Sequence, residues 1–89
     1  MQIPLLVTFI NGDKTEVDAI FPDFIAFERE RRKSVVRFES EMQLTDLAWL
    51  AWHAEKRLNR TALKFDPDWV STVQQVEARE TEGTAPLES

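Results

Sequence analysis

From Ile3 to Phe21 the chain reads "IPLLVTFINGDKTEVDAIF": an apolar-rich run to Ile10, a break at Asn11-Gly12, and polar–apolar alternation from Glu16 to Ala19. Such alternation marks half-buried strands, and Asn-Gly supplies the positive φ angles of a tight turn, so a β-hairpin is expected. A two-residue loop would place Leu6, Thr8 and Ile10 with Asp13, Thr15 and Val17. A three-residue loop over 11–13 instead pairs Val7 with Val17 and Leu5 with Ala19. It gathers Leu5, Val7, Phe9, Val17, Ala19 and Phe21 on one apolar face, and is the expected register. Pro4 suggests an edge strand. An isolated hairpin is barely stable in water, so helices must cover the apolar face.

Beyond Phe21 the period lengthens. Pro22 suits the opening of a first helix, in which Phe24, Ile25 and Phe27 are apolar and "ERERRK" is a polar stem to about Lys33. The segment "SVVRFESEM" has no clear period, and Val36 and Phe38 are its expected core contacts. Ser40 and Gln43 form an S-x-x-Q capping pattern for a second helix from Glu41 to Asn59. At about 100° per residue, Leu44, Leu47, Ala51, Ala54 and Leu58 share one side of it, extended by Ala48 and Trp52. Trp49 falls opposite, among Asp46, His53 and Lys56. Trp52 is expected to pack on the hairpin or on Trp69, because large aromatics dominate small cores.

A third helix has a clear start signal: Asp66 as cap, Pro67 at the first helical position, and a staple of Phe65 with Val70. Trp69, Val73 and Val76 then share a face up to about Arg79. Residues 80–89 show no periodicity and are expected to be a flexible tail. The expected fold is α+β, an N-terminal β-hairpin packed against three α-helices, in a single domain over 1–79.

Composition narrows the function. Eighty-nine residues allow one domain at most, and 43% hydrophobic with 30% charged residues is ordinary for a globular chain. A net charge of −5 argues against nonspecific nucleic-acid binding over the whole surface. Without cysteine there is no disulfide, thiolate chemistry or cysteine–metal site. There is no basic leader, and no apolar run nears the roughly 18–20 residues of a spanning helix, so a cytosolic location is expected.

Little catalytic chemistry is visible. His53 is the only histidine, and Asp46, seven residues earlier on a similar side, lies too far along the helix to pair with it. Glu30 or Glu39 could approach it from elsewhere, but a solvated histidine is the expectation. Gly12 and Gly83 are the only glycines, and no nucleophile-elbow pattern exists. The chain is expected not to be an enzyme and to use no metal or cofactor. Trp49 on a polar face has two explanations: cover within the fold, or cover by a partner. On the second, Trp49, His53, Lys56 and Asp46 form a partner-binding site. The run "FERERRKSVVR" offers Arg29, Arg31, Arg32 and Arg37 as an alternative, phosphate-gripping patch. Interleaved Glu28 and Glu30, and the complement of basic residues to a helix C-terminus, favour a solvated helix end instead.

Taken together, "VTFINGDKTEV", "DFIAFERE", "LTDLAWLAWHAEKR" and "FDPDWVSTVQQVE" resemble the small tail assembly chaperones of long-tailed (siphovirus-like) bacteriophages. The likeness is strongest at Phe27-Glu28-Arg29 and at Leu47-Ala48-Trp49-Leu50-Ala51-Trp52-His53-Ala54, and spans roughly residues 5–78. It implies a non-enzymatic factor that binds the helical tape measure protein, keeps it soluble and helps tail tube protein polymerise around it. It further implies action in the host cytoplasm, absence from the mature virion, and genes that often yield a longer frameshifted product. The family has no catalytic motif to carry across. A small nucleic-acid-binding regulator and a structural virion component are the rival readings.

Overall fold

In a computed structural model, residues 2–32 and 43–79 are described, and the chain forms an α+β unit. Strand β1 (Gln2–Phe9) pairs antiparallel with β2 (Lys14–Ile20), as the alternation predicts. Leu5, Val7, Val17 and Ala19 are buried on the expected face, with Phe9 half-buried. The loop has three residues but lies one position earlier than expected, at 10–12. Phe9 N–H donates to the Asp13 carbonyl and Gly12 N–H to the Phe9 carbonyl, at 2.8 and 2.9 Å. Gly12 carries the positive φ of 97° that closes a turn of this length. Leu5 therefore faces Val17, and Val7 faces Thr15. The register differs from expectation by two residues, which preserves side-chain faces because the strand period is two.

Helix α1 (Phe21–Arg31) follows β2 directly, with Pro22 in its first turn. Phe24 and Phe27 enter the core, whereas Ile25 is partly exposed and Phe21 is 61% exposed. Phe21 leaves the apolar face of the hairpin because the backbone has already turned into the helix. Helix α2 (Leu44–Arg57) is shorter than expected at both ends. Its N-terminus is held by Asp46, whose carboxylate accepts Gln43 N–H at 3.1 Å; the Ser40 cap, with Val36 and Phe38, lies outside the described residues. At the other end Asn59 adopts the left-handed conformation (φ 62°). Asn59 N–H then reaches the Lys56 carbonyl and Arg60 N–H the Glu55 carbonyl, satisfying the last turn.

The third helix does not form as expected. Phe65–Trp69 makes one wide turn closed by Trp69 N–H on the Lys64 carbonyl at 2.9 Å, and Val70–Thr72 adds a single 3₁₀ turn. Asp66 is extended and makes no side-chain cap, consistent with the bias of a residue preceding proline. From Val73 the chain becomes strand β3 (Val73–Ala78), antiparallel to β1, giving the sheet order β2-β1-β3. A bulge lets Val7 face Val76 and Phe9 face Val73, with Gln74 as the extra residue. The Val-x-x-Val spacing that suggests a helix thus lies on one face of a bulged strand.

Strand β1 is consequently central, not an edge. Pro4 is tolerated because its carbonyl accepts Arg79 N–H at the last rung, where the missing donor faces the end of the β1–β3 ladder. Residues 80–89, the expected tail, lie outside the described set. Among the described residues, no helix is long and apolar enough to cross a membrane.

Candidate functional site

Of the residues singled out by sequence, Asp46, Trp49, His53 and Lys56 lie on helix α2, and Arg31 approaches it from α1. The buried residues of α2 are Asp46, Leu47, Trp49, Leu50, Ala51, Ala54 and Glu55. On a wheel at about 100° per residue the core side therefore centres near Leu50 and Ala54, some 80° from Leu44. Leu44 is 82% exposed, and Leu58 is also exposed. The opposite flank of the helix, with Asp46, Trp49, His53 and Arg57, is turned towards α1 and its neighbours.

Trp49 is therefore not an uncovered anchor: it is 6% exposed. Its ring stacks on His53 with centroids 5.1 Å apart, and meets Phe27 and Trp52 edge-on at 6.0 and 5.7 Å. The series continues from Trp52 through Phe65 to Trp69. Trp52 is half-buried against Phe65 and Trp49, donates Nε1–H to the Leu63 carbonyl at 2.9 Å, and carries Lys56 Nζ 5.1 Å from its ring centroid. Lys56 is the one expected partner-site residue that remains exposed.

His53 is not simply solvated. Its Nδ1 lies 2.7 Å from Asp23 Oδ1, and Asp23 is fully buried. The same carboxylate accepts Ile20 N–H at 2.9 Å and is gripped by Arg57 through Nε and Nη2 at 3.1 Å each. Burial pushes the Asp23 carboxyl up, but the Arg57 hydrogen bonds, the Ile20 N–H and His53 together outweigh it and hold the group below its ordinary value. One side chain thus ties the end of β2, the first turn of α1 and the last half of α2. Among the described residues no hydroxyl hydrogen-bonds to His53. The carboxylate and imidazole are instead engaged by a guanidinium and a backbone donor, an arrangement that clamps elements together.

Two further buried acids follow the same rule. Arg31 Nη2 lies 3.6 Å from Asp46, and Arg60 Nη1 lies 3.2 Å from Glu55. Asp46 is therefore buried rather than on the surface, and Arg31, partly exposed, is turned towards it. Arg29 and Arg32 are exposed, beside exposed Glu28 and Glu30, and Arg37 lies outside the described residues. Sequence reasoning did not single out Asp23, Arg57, Arg60 or Glu55. The available signal was Asp23 three residues into a helix opened by proline, a position that caps the preceding backbone.

Beside a polar cleft of ≈ 370 Å³ lined by Glu16, Asp18, Arg57 and Arg60, two open grooves are mainly apolar. Leu44, Thr45, Ala48, Phe65, Asp66 and Val70 line a groove of ≈ 290 Å³, adjoined by one of ≈ 200 Å³ that runs on along Trp69, Val73 and Val76. Leu44 and Val70 are the exposed large hydrophobic side chains of this surface. No group of three or more histidine, aspartate or glutamate side chains suited to a metal occurs among the described residues. Comparison of the chain with protein-family models, with curated proteins and with solved structures finds no match.

Proposed function

We propose that this chain is a non-enzymatic tail assembly chaperone of a long-tailed bacteriophage. It binds the tape measure protein, keeps it soluble and promotes assembly of the tail tube around it in the host cytoplasm, outside the finished virion. The observation that carries the reading is the open groove beside Leu44, flanked by Ala48, Phe65 and Val70, on a chain of net charge −5. A long amphipathic client presents an apolar stripe that must be covered before assembly. Such a stripe seats in an apolar groove through residues spaced i, i+3/i+4 and i+7. Acidic charge keeps the domain soluble while the groove is vacant. The sequence likeness over residues 5–78 supports the reading, in which the contact passes from Trp49, which is internal, to Leu44 and Val70.

Capture of a tape measure fragment by the immobilised protein tests the proposal. Leu44→Asp should weaken capture at least about tenfold, as for an interface anchor. Fold should be retained, since an acidic residue at the start of α2 complements the helix dipole. Equal capture by both proteins moves the site elsewhere, and no capture by the wild type removes the role. A gel shift that fades with salt would point instead to a nucleic-acid regulator using Arg29 and Arg32. Recovery of the chain from purified virions by mass spectrometry would make it a structural component.

A further inference from the structure

The two outer edges of the sheet are treated differently. Along β2, Arg60 Nη1 donates to the Glu16 carbonyl and Arg57 Nη2 to the Asp18 carbonyl, each at 3.1 Å, while Asp23 accepts Ile20 N–H. Two guanidinium groups and a carboxylate thus obstruct that edge against another strand. Along β3, Arg79 N–H donates to the Pro4 carbonyl at 2.8 Å, which fixes the phase of the ladder. Antiparallel alternation then turns the backbone groups of Gln75, Glu77 and Arg79 towards β1, and those of Val76 and Ala78 outwards. Among the described residues nothing pairs with these outward groups.

We infer that β3 pairs antiparallel with β3 of a second copy of this chain, about a two-fold axis at Val76, joining two three-stranded sheets into one of six strands. Charge selects this occupant and this register. The chain carries −5, so two copies repel over most of their surface. β3 is a nearly neutral seam in which Glu77 is the single ionised side chain. With Val76 on the axis, Glu77 faces Gln75 of the second copy; a shift onto Glu77 would set two carboxylates directly opposite, which is unfavourable. The inner side of the same edge bears the groove lined by Val70, Val73, Val76 and Leu44, so pairing brings the two apolar surfaces alongside each other. Because the β2 edges are obstructed, pairing closes at two copies and does not propagate into a fibre. The dimer stands independently of any client.

Sedimentation of the full chain, combined with amide hydrogen exchange, tests it. The expected species is twice 10.4 kDa at high concentration, with slow exchange at the Val76 and Ala78 amides that is lost on dilution. Ala78→Pro removes an outward N–H and leaves the donors of Glu77 and Arg79 on β1 intact. It should give a monomer with an unchanged circular dichroism spectrum. Gln75→Lys, on the solvent face, should tighten the dimer a few-fold in low salt by facing Glu77 of the other copy, and Gln75→Glu should weaken it a few-fold. A 10.4 kDa species at every concentration up to about 1 mM overturns the inference. So does a dimer insensitive to Ala78→Pro and to both Gln75 variants.

Discussion

At the scale of single residues, the molecule turns on acids and aromatics that the sequence places on polar faces. Asp23, Asp46 and Glu55 are all buried, and each is met by an arginine from elsewhere in the chain: Arg57, Arg31 and Arg60. Asp46 and Arg31 read from sequence as members of two different candidate sites, yet the fold sets them 3.6 Å apart. The apolar face of the hairpin was legible because side chains alternate strictly along a strand. The cover over Trp49 was not, because it comes from Phe27 on α1 and from His53, whose orientation is set by Asp23, thirty residues earlier. Trp49→Ala should therefore act on stability, costing about 3–5 kcal/mol. That is a large share of the roughly 5–15 kcal/mol that holds a small domain. Urea unfolding measures it; a cost below about 1 kcal/mol would mean that the indole is not a core residue.

At the scale of elements, β1, β2 and α1 follow from local signals, namely the period-two pattern, the Asn-Gly turn and a proline in the first helical turn. Helix α2 is recognisable as a helix, but Leu44, apolar yet exposed, displaces its apparent core direction. In the fold it sits in an uncovered first turn. In β3, Val73 and Val76 stand three apart, a spacing that suggests a helix. The spacing is resolved by a bulge at Gln74, which exists only because β1 offers an edge to pair with. No window of the local sequence contains that edge. Ending the chain after Thr72 should leave a two-stranded hairpin that cannot hold the helices, since Leu6 and Thr8 lose their partners on β3. The expected result is loss of a cooperative thermal transition; a sharp transition in the shortened chain would show β3 to be dispensable.

For the whole molecule, acid should be the sensitive direction. The Asp23 carboxyl is held below its ordinary value in the fold. The unfolded chain therefore binds the proton first as pH falls, and stability declines between the unfolded carboxylate value near pH 4 and the lower folded value. Above about pH 4 the contribution is fully present. Urea midpoints measured from pH 7 down to about pH 3 should fall for the wild type, and Asp23→Asn should be less stable at neutral pH with a flatter acid limb. Identical limbs would show that Asp23 does not govern the response. By itself the sequence determined the α+β class, the hairpin and its apolar face, two helices, and an acidic chain without cysteine chemistry, because these rest on local periodicity and composition. Tertiary structure alone decided the third strand, the placing of Asp23 beside Arg57 and of Asp46 beside Arg31, the burial of Trp49 and the exposure of Leu44. Each of these depends on what packs against a residue from far along the chain, which its immediate neighbours do not encode.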